Sequence, residues 1–138
     1  MLVRELSEAL GVSPDTVRHY TRIGLLEPIK SANNGYHYYR KEDVTTLRFI
    51  LRAKTLGFSL TDIQEILFLA GSGSCPCTLV RNRMRRNLAA ARTVMVESQL
   101  LFERMDKAML EWDKKPDTLP DSDAICELIE SWGEGLPC

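Results

Sequence analysis

The chain has 138 residues and a mass of 15.7 kDa, room for one ordinary domain or for a small domain with an appendage, and too little for a multidomain enzyme. Hydrophobic residues make up 44% and charged residues 27%, the composition of a globular chain rather than a disordered or fibrous one. No apolar run approaches the roughly eighteen residues that cross a bilayer, and Arg4 and Glu5 interrupt any secretory core at the start, so a cytoplasmic protein with no membrane partner is expected. The net charge of −1 is unevenly spread. Residues 1–70 hold nine Lys/Arg against eight Asp/Glu, residues 71–115 hold nine against five, and residues 116–138 hold none against six. The acidity sits in the tail, so the total does not exclude a local nucleic-acid-binding face.

Leu2, Leu6, Ala9 and Leu10 follow helical spacing, and Gly11 stops them. Ser13-Pro14-Asp15-Thr16 then starts a second helix: Ser13 is placed to cap, Pro14 is tolerated at the first position, and Asp15 meets the positive end of the dipole. That helix runs to about Tyr20–Arg22 and ends near Gly24. Two short helices around a Gly-containing turn form either a helix-turn-helix or a plain helical hairpin. Pro28-Ile29-Lys30 and Tyr36 to Arg40 flank Asn33-Asn34-Gly35, and Asn-Gly between strand formers predicts a β-hairpin, the position of a wing. Some of its three tyrosines are expected to pack on the helices. Lys41–Lys54 reads as a helix with Val44, Leu47, Ile50 and Leu51 on one face, broken at Gly57-Phe58. Ser59-Leu60-Thr61-Asp62 resembles a capping box opening a helix over 59–69, and Gly71-Ser72-Gly73-Ser74 is a connection.

Residues 78–112 contain neither Pro nor Gly. Met84, Leu88, Ala91, Met95, Ser98, Phe102, Met105, Met109 and Trp112 recur at alternating steps of four and three, a heptad seam over about four heptads. At 1.5 Å per residue such a helix is roughly 50 Å long. No other helix in the chain is long enough to cover it, so a second copy of the chain is expected as the partner. Beyond it, residues 116–123 form an acidic loop. Ala124–Trp132 reads as a short amphipathic helix ended by Gly133 and Gly135, and Leu136-Pro137-Cys138 closes the chain.

The order helix-turn-helix, Asn-Gly wing, two helices and long dimerising helix resembles the MerR family of transcription activators. The resemblance rests on Glu5-Leu6, on Gly11-Val12-Ser13-Pro14-Asp15-Thr16-Val17-Arg18-His19-Tyr20, and on Ile23-Gly24-Leu25-Leu26. It rests also on Gly35-Tyr36 to Tyr39-Arg40, on Asp43-Val44, Leu47 and Ile50, and on Ala53 to Gly57-Phe58-Ser59-Leu60. It implies a mainly α fold: a winged helix-turn-helix DNA-binding domain over 1–70, a connector over 71–77, an antiparallel coiled-coil dimerisation helix over 78–112, and an effector-binding loop with a short helix over 113–138. It further implies a homodimer that binds double-stranded promoter DNA and presents a distorted promoter spacer to bacterial RNA polymerase. Carried over residue by residue, Thr16, Arg18, His19 and Tyr20 fall on the recognition helix, with Arg18 the foremost candidate for a phosphate or base-edge contact and Tyr20 for a backbone contact. Tyr36, His37, Tyr39 and Arg40 fall on the wing. Where the family usually carries Arg two residues after the wing Gly, this chain has His37.

Four cysteines, Cys75, Cys77, Cys126 and Cys138, avoid the first half of the chain. In a chain of this kind they point to metal or redox chemistry rather than a disulfide framework, although a buried Cys is equally a small hydrophobe. The resemblance gives them positions. Metal-sensing relatives place one Cys before the long helix, a second at its end and a third in the following loop, with sulfurs from both chains of a dimer sharing the ion. Cys77 matches the first and Cys126 the third; the second is Trp112, which departs from the pattern. Cys75, one residue from Cys77, and Cys138 at the end are the candidate replacements, and Asp117, Asp121 and Asp123 offer harder donors. The implied effector is a divalent thiophilic ion, Zn(II), Cd(II), Pb(II) or Hg(II), regulating a metal-resistance or homeostasis gene. The alternative is a thiol-based redox or electrophile sensor on the same scaffold. A [2Fe–2S] sensor would cluster its four Cys, and a drug-binding regulator would carry an extra ligand domain. No Ser/His/Asp set, phosphate loop or hydrolase motif marks an enzyme.

Overall fold

The computed structural model describes residues 1–133. The elements follow as α1 (Val3–Leu10), α2 (Pro14–Arg22), β1 (Ile29–Lys30), β2 (His37–Tyr38), α3 (Lys41–Thr55), α4 (Leu60–Gly71), α5 (Cys77–Trp112) and α6 (Glu127–Glu130). Local chemistry sets their ends. The Ser13 hydroxyl accepts the Thr16 N–H at 3.2 Å with Pro14 at the first helical position, and Gly11 ends α1 in the left-handed region at φ 70°. At α4 the expected capping box is reciprocal: Ser59 Oγ accepts from Asp62 N at 3.1 Å, and Asp62 Oδ2 accepts from Ser59 N at 3.3 Å.

The chain divides into two compact units, Met1–Leu88 and the residues from Ala89 on. In the first, Leu6, Val17, Leu26, Leu47, Ile50, Phe58, Ile63 and Ile66 form one core contributed by all four short helices and their turns. Tyr20 and Tyr39 belong to it, at 8% and 4% exposure. The first turns of α5 join the same unit. Leu79, Val80 and Met84 pack on the core, Arg83 pairs with Glu65 (Nη2–Oε2 2.8 Å) and Asp62 (Nε–Oδ1 3.5 Å), and Asn87 Nδ2 donates to the Gly57 carbonyl at 3.3 Å.

The wing is antiparallel, with Ile29 opposite Tyr38 and Lys30 opposite His37. The hairpin forms where Asn-Gly predicts one, but its loop runs from Ser31 to Tyr36 rather than turning in two residues. Asn34 Oδ1 accepts the Tyr36 N–H at 3.0 Å, which spends the Asn side chain on a local turn and leaves Gly35, at φ 72°, as the shoulder of a wider loop. Tyr39 fastens this hairpin to the helices. Its N–H donates to the Met1 carbonyl at 2.6 Å, its carbonyl accepts from the Met1 ammonium at 3.1 Å, and its hydroxyl shares a 2.7 Å hydrogen bond with Thr21 Oγ1. Asp43, only 3% exposed, ties the other end: its carboxylate accepts from the backbone N–H of Glu27 (3.0 Å) and of Arg40 (2.9 Å).

In the second unit α5 carries Met95, Phe102, Met105 and Met109 exposed, and Ala108 is the one buried side chain among the described residues of this unit. Trp112 Nε1 donates to the Leu128 carbonyl at 3.0 Å, and Lys115 Nζ donates to Ser131 Oγ at 3.2 Å. The helix expected over 124–132 shrinks to Glu127–Glu130. The cause is Glu130, whose Oε2 accepts the N–H groups of Ile125 (3.0 Å) and Cys126 (2.8 Å) and so holds both residues outside the helix, with Cys126 extended at φ −147°. Cys138 lies outside the described residues.

Two substitutions separate these ties by strength. Tyr39→Phe removes one neutral hydrogen bond and should cost about 1 kcal/mol. Asp43→Ala strands two partly buried backbone donors that a charged, buried acceptor had satisfied and should cost about 2 kcal/mol. Urea unfolding at fixed protein concentration reads both as midpoint shifts at constant slope; equal shifts would contradict the assignment of Asp43 as the stronger tie.

Candidate nucleic-acid interface and thiol site

α2 is the second helix of the α1–turn–α2 pair, the position that the sequence reading gives to a recognition helix. Its i, i+3, i+4 spacing puts Arg18, Thr21 and Arg22 on one face, and that face meets α1 and the wing around a groove of about 910 Å³. Arg4, Arg18, Thr21, Arg22, Gly35, Tyr36 and His37 line it, with Leu2 and Val3. The Arg18 guanidinium stands 3.1 Å from Asp15 Oδ1, both side chains more than half exposed, which makes this a weak, solvent-screened pair. A second depression of about 450 Å³ is lined by Met1, Tyr39, Arg40, Lys41, Val44, Thr45 and Arg48. Both are rich in cations, the requirement for tracking a phosphate backbone.

The residues expected from sequence to touch DNA fall into two groups. Arg18, His19, Tyr36 and Arg40 are exposed, and His37 is half-buried with its ring edge-on to Tyr39 at 6.4 Å. Tyr20 and Tyr39 are core residues. Tyr39 has its hydroxyl engaged by Thr21, so its ring serves packing rather than readout. Thr16 is half-buried and works in the cap, its Oγ1 3.0 Å from Ser13 Oγ. Sequence reasoning passes over Arg4, Arg22, Lys41 and Arg48. The helical spacing of Arg18 and Arg22 carries a signal for one of them. Arg4 has none, because its place beside the wing follows from the Met1–Tyr39 pairing.

The cysteines divide between the units. Cys75 and Cys77 are exposed where α5 begins, with Pro76 between them. The Cys77 backbone N–H, then the Cys77 thiol, donate to the Cys75 sulfur and hold the Cys75 thiol below its ordinary value. The same bond, with Cys77 as donor, pushes the Cys77 thiol up. Two soft donors one residue apart, open to solvent, suit a thiophilic ion better than a hard one. Cys126 is half-buried in the second unit, at the N-cap of α6. Among the described residues, no three His, Cys, Asp or Glu side chains of one chain converge as a ready metal site. Asp117, Asp121 and Asp123 are exposed loop residues, and Asp121 Oδ1 accepts the Asp123 N–H at 2.8 Å. Trp112, at the position where the metal-sensing pattern has Cys, is the side chain that fastens Leu128.

Known proteins share this architecture and sequence. Residues 1–68 match the MerR HTH family regulatory protein family, and residues 44–107 match the family described as MerR, DNA binding. An uncharacterized HTH-type transcriptional regulator of Synechocystis is 29% identical over 109 residues, 79% of this chain and 80% of its own length. Heavy metal-dependent transcription regulator 1 of Rhizobium meliloti is 35% identical over 101 residues, 73% of this chain and 61% of its own. The chain spans about half the length of several other curated relatives it matches. Among solved structures, the transcription regulator PbrR691 of Ralstonia metallidurans, in complex with lead(II), superposes with a TM-score of 0.73 over 95% of this chain and 98% of that one; at 23% identity this likeness concerns the fold. With its helix-turn-helix, wing and long α5 in place and its first 107 residues matched in sequence, the chain belongs to the MerR family of helix-turn-helix transcription regulators.

Proposed function

We propose that the chain is a homodimeric, thiophilic-metal-responsive transcription activator. On this reading it binds promoter DNA through α2 and the wing and acts by distorting the promoter for RNA polymerase in the cytoplasm. The observation that carries the metal reading is the solvent-open Cys75-Pro76-Cys77 pair of thiols at the start of α5. The heavy-metal-dependent relative supports it. Cys77 and Cys75 of one subunit with Cys126 of the partner subunit would hold the ion, Cys138 being a further candidate. Such an ion, Zn(II), Cd(II), Pb(II) or Hg(II), supplies a crosslink between sulfurs of the two chains. The exposed seam of α5 supports the dimer, since large apolar side chains such as Phe102 and Met95 otherwise remain in water.

The chain's own residues connect such a site to DNA. Arg83, two turns beyond Cys75, is paired with Asp62 and Glu65 of α4, and Asn87 holds the turn after α3. A change at the start of α5 is therefore delivered to α3 and α4 without a flexible joint. The DNA is then read through its deformability rather than through new base contacts.

The Cys75 thiol, held down by its neighbour, also favours a second reading, a redox or electrophile sensor. Titrating reduced, full-length protein with Cd(II) separates the two. Sulfur-to-metal charge-transfer absorbance that saturates at a fixed stoichiometry, is lost in Cys77→Ser and Cys126→Ser, and accompanies metal-dependent transcription is the expected result. Transcription that follows peroxide or a thiol reagent without metal would replace the metal reading with the redox one. On the DNA side, Asp15→Asn frees Arg18 and should tighten binding to duplex DNA by roughly two- to fivefold at low salt, the worth of an exposed ion pair. Arg18→Ala should weaken it whatever the metal status, and a tighter complex from Arg18→Ala would contradict the assignment of α2.

A further inference from the structure

We propose that Arg4 and Arg22 are phosphate-binding residues. Together with Arg18 they make the groove between α1, α2 and the wing a seat for one sugar–phosphate strand of duplex DNA. The inference rests on the DNA-binding reading and extends it to α1, an element that helix-turn-helix reasoning leaves out of the interface.

Three observations carry it. The first is convergence: guanidinium-bearing residues from two helices line the same groove of about 910 Å³, and Tyr36, 61% exposed, lines it from the wing. Three cations brought together across 18 residues of sequence repel one another unless an anion lies between them, and the groove is too open for any of them to be buried for packing. The second is availability. Arg4 and Arg22 are exposed, and among the described residues neither has a carboxylate within ion-pair distance, whereas Arg18 and Arg40 each have one and Arg83 has two. The third is fixation. The Met1–Tyr39 backbone pair holds the start of α1 against the end of β2, and the Thr21–Tyr39 hydrogen bond holds α2 against the same residue. The groove walls are thus set before any ligand arrives, so little ordering entropy opposes binding. The planar fork of arginine suits phosphate oxygens bidentately. Such contacts position the protein along DNA without reading bases.

The test uses the full-length chain and a mixed-sequence duplex of about 30 base pairs, with fluorescence anisotropy followed as a function of KCl concentration. Removing one phosphate-binding cation should flatten the plot of log K against log salt by about 0.9 per bound chain. Arg4→Gln and Arg22→Gln are each expected to flatten it by that amount. The double variant should flatten it by about twice as much, and Arg4→Lys should restore the wild-type slope. Unchanged thermal melting shows that the fold survives each substitution. Wild-type slopes in Arg4→Gln and Arg22→Gln overturn the inference and leave the DNA-binding reading standing, because Arg18→Ala still weakens binding in that case. A wild-type chain that gives no salt-dependent binding overturns both.

Discussion

The pairing of Tyr39 with Met1 and Thr21 is the constraint on which the DNA-facing half depends. A two-residue β-ladder is marginal by itself, since an isolated hairpin in water hardly persists. Here the hairpin returns into a buried tyrosine, with backbone hydrogen bonds to the chain's first residue and a side-chain hydrogen bond to α2. Three segments distant in sequence therefore share one buried residue. The entropy of ordering a mobile wing is met by the core rather than by the ligand. Asp43 does the same for the approach to the wing, holding the backbone of Glu27 and Arg40 together at the start of α3.

The same economy governs α5. Its first turns are part of the small core, pinned by Leu79, Val80 and Met84 and by the Arg83 ion pairs, while its later turns expose their apolar residues. One helix is thus a structural member of the first unit over its first twelve residues, and over the rest it exposes most of its apolar side chains while Ala108 is buried and Trp112 is hydrogen-bonded to Leu128. The whole of α5 contains neither Gly nor Pro, so no residue within it interrupts the helical hydrogen-bond ladder.

Features encoded by neighbouring residues were legible in the sequence. The Ser13 cap with Pro14, the reciprocal Ser59–Asp62 box, the glycine end of α1 and the span of α5 all follow from short-range rules and are found in place. Features set by long-range contacts were not. Tyr20 and Tyr39 sit on elements whose family role is DNA contact, yet the core claims their rings, because a domain this small has few large side chains with which to fill its interior. The shortening of α6 depends on one carboxylate choosing two backbone amides over solvent, a choice no periodicity reports. The place of Arg4 in the groove beside the wing was invisible for the same reason, since nothing local marks it as a neighbour of Tyr36 and His37.

Trp112 bears on the sulfur count of the proposed site. Its indole N–H satisfies a carbonyl of α6, so at this position the chain carries an anchor that holds Leu128, two residues from Cys126, to the end of α5. A thiophilic ion still needs enough soft donors to outcompete water. The Cys75-Pro76-Cys77 turn offers the missing one from the other side, with Pro76 restricting the backbone between two exposed thiols. On the proposed reading, then, Cys75 supplies beside Cys77 the sulfur that position 112 lacks, at the start of the helix whose Arg83 ion pairs tie it to α4.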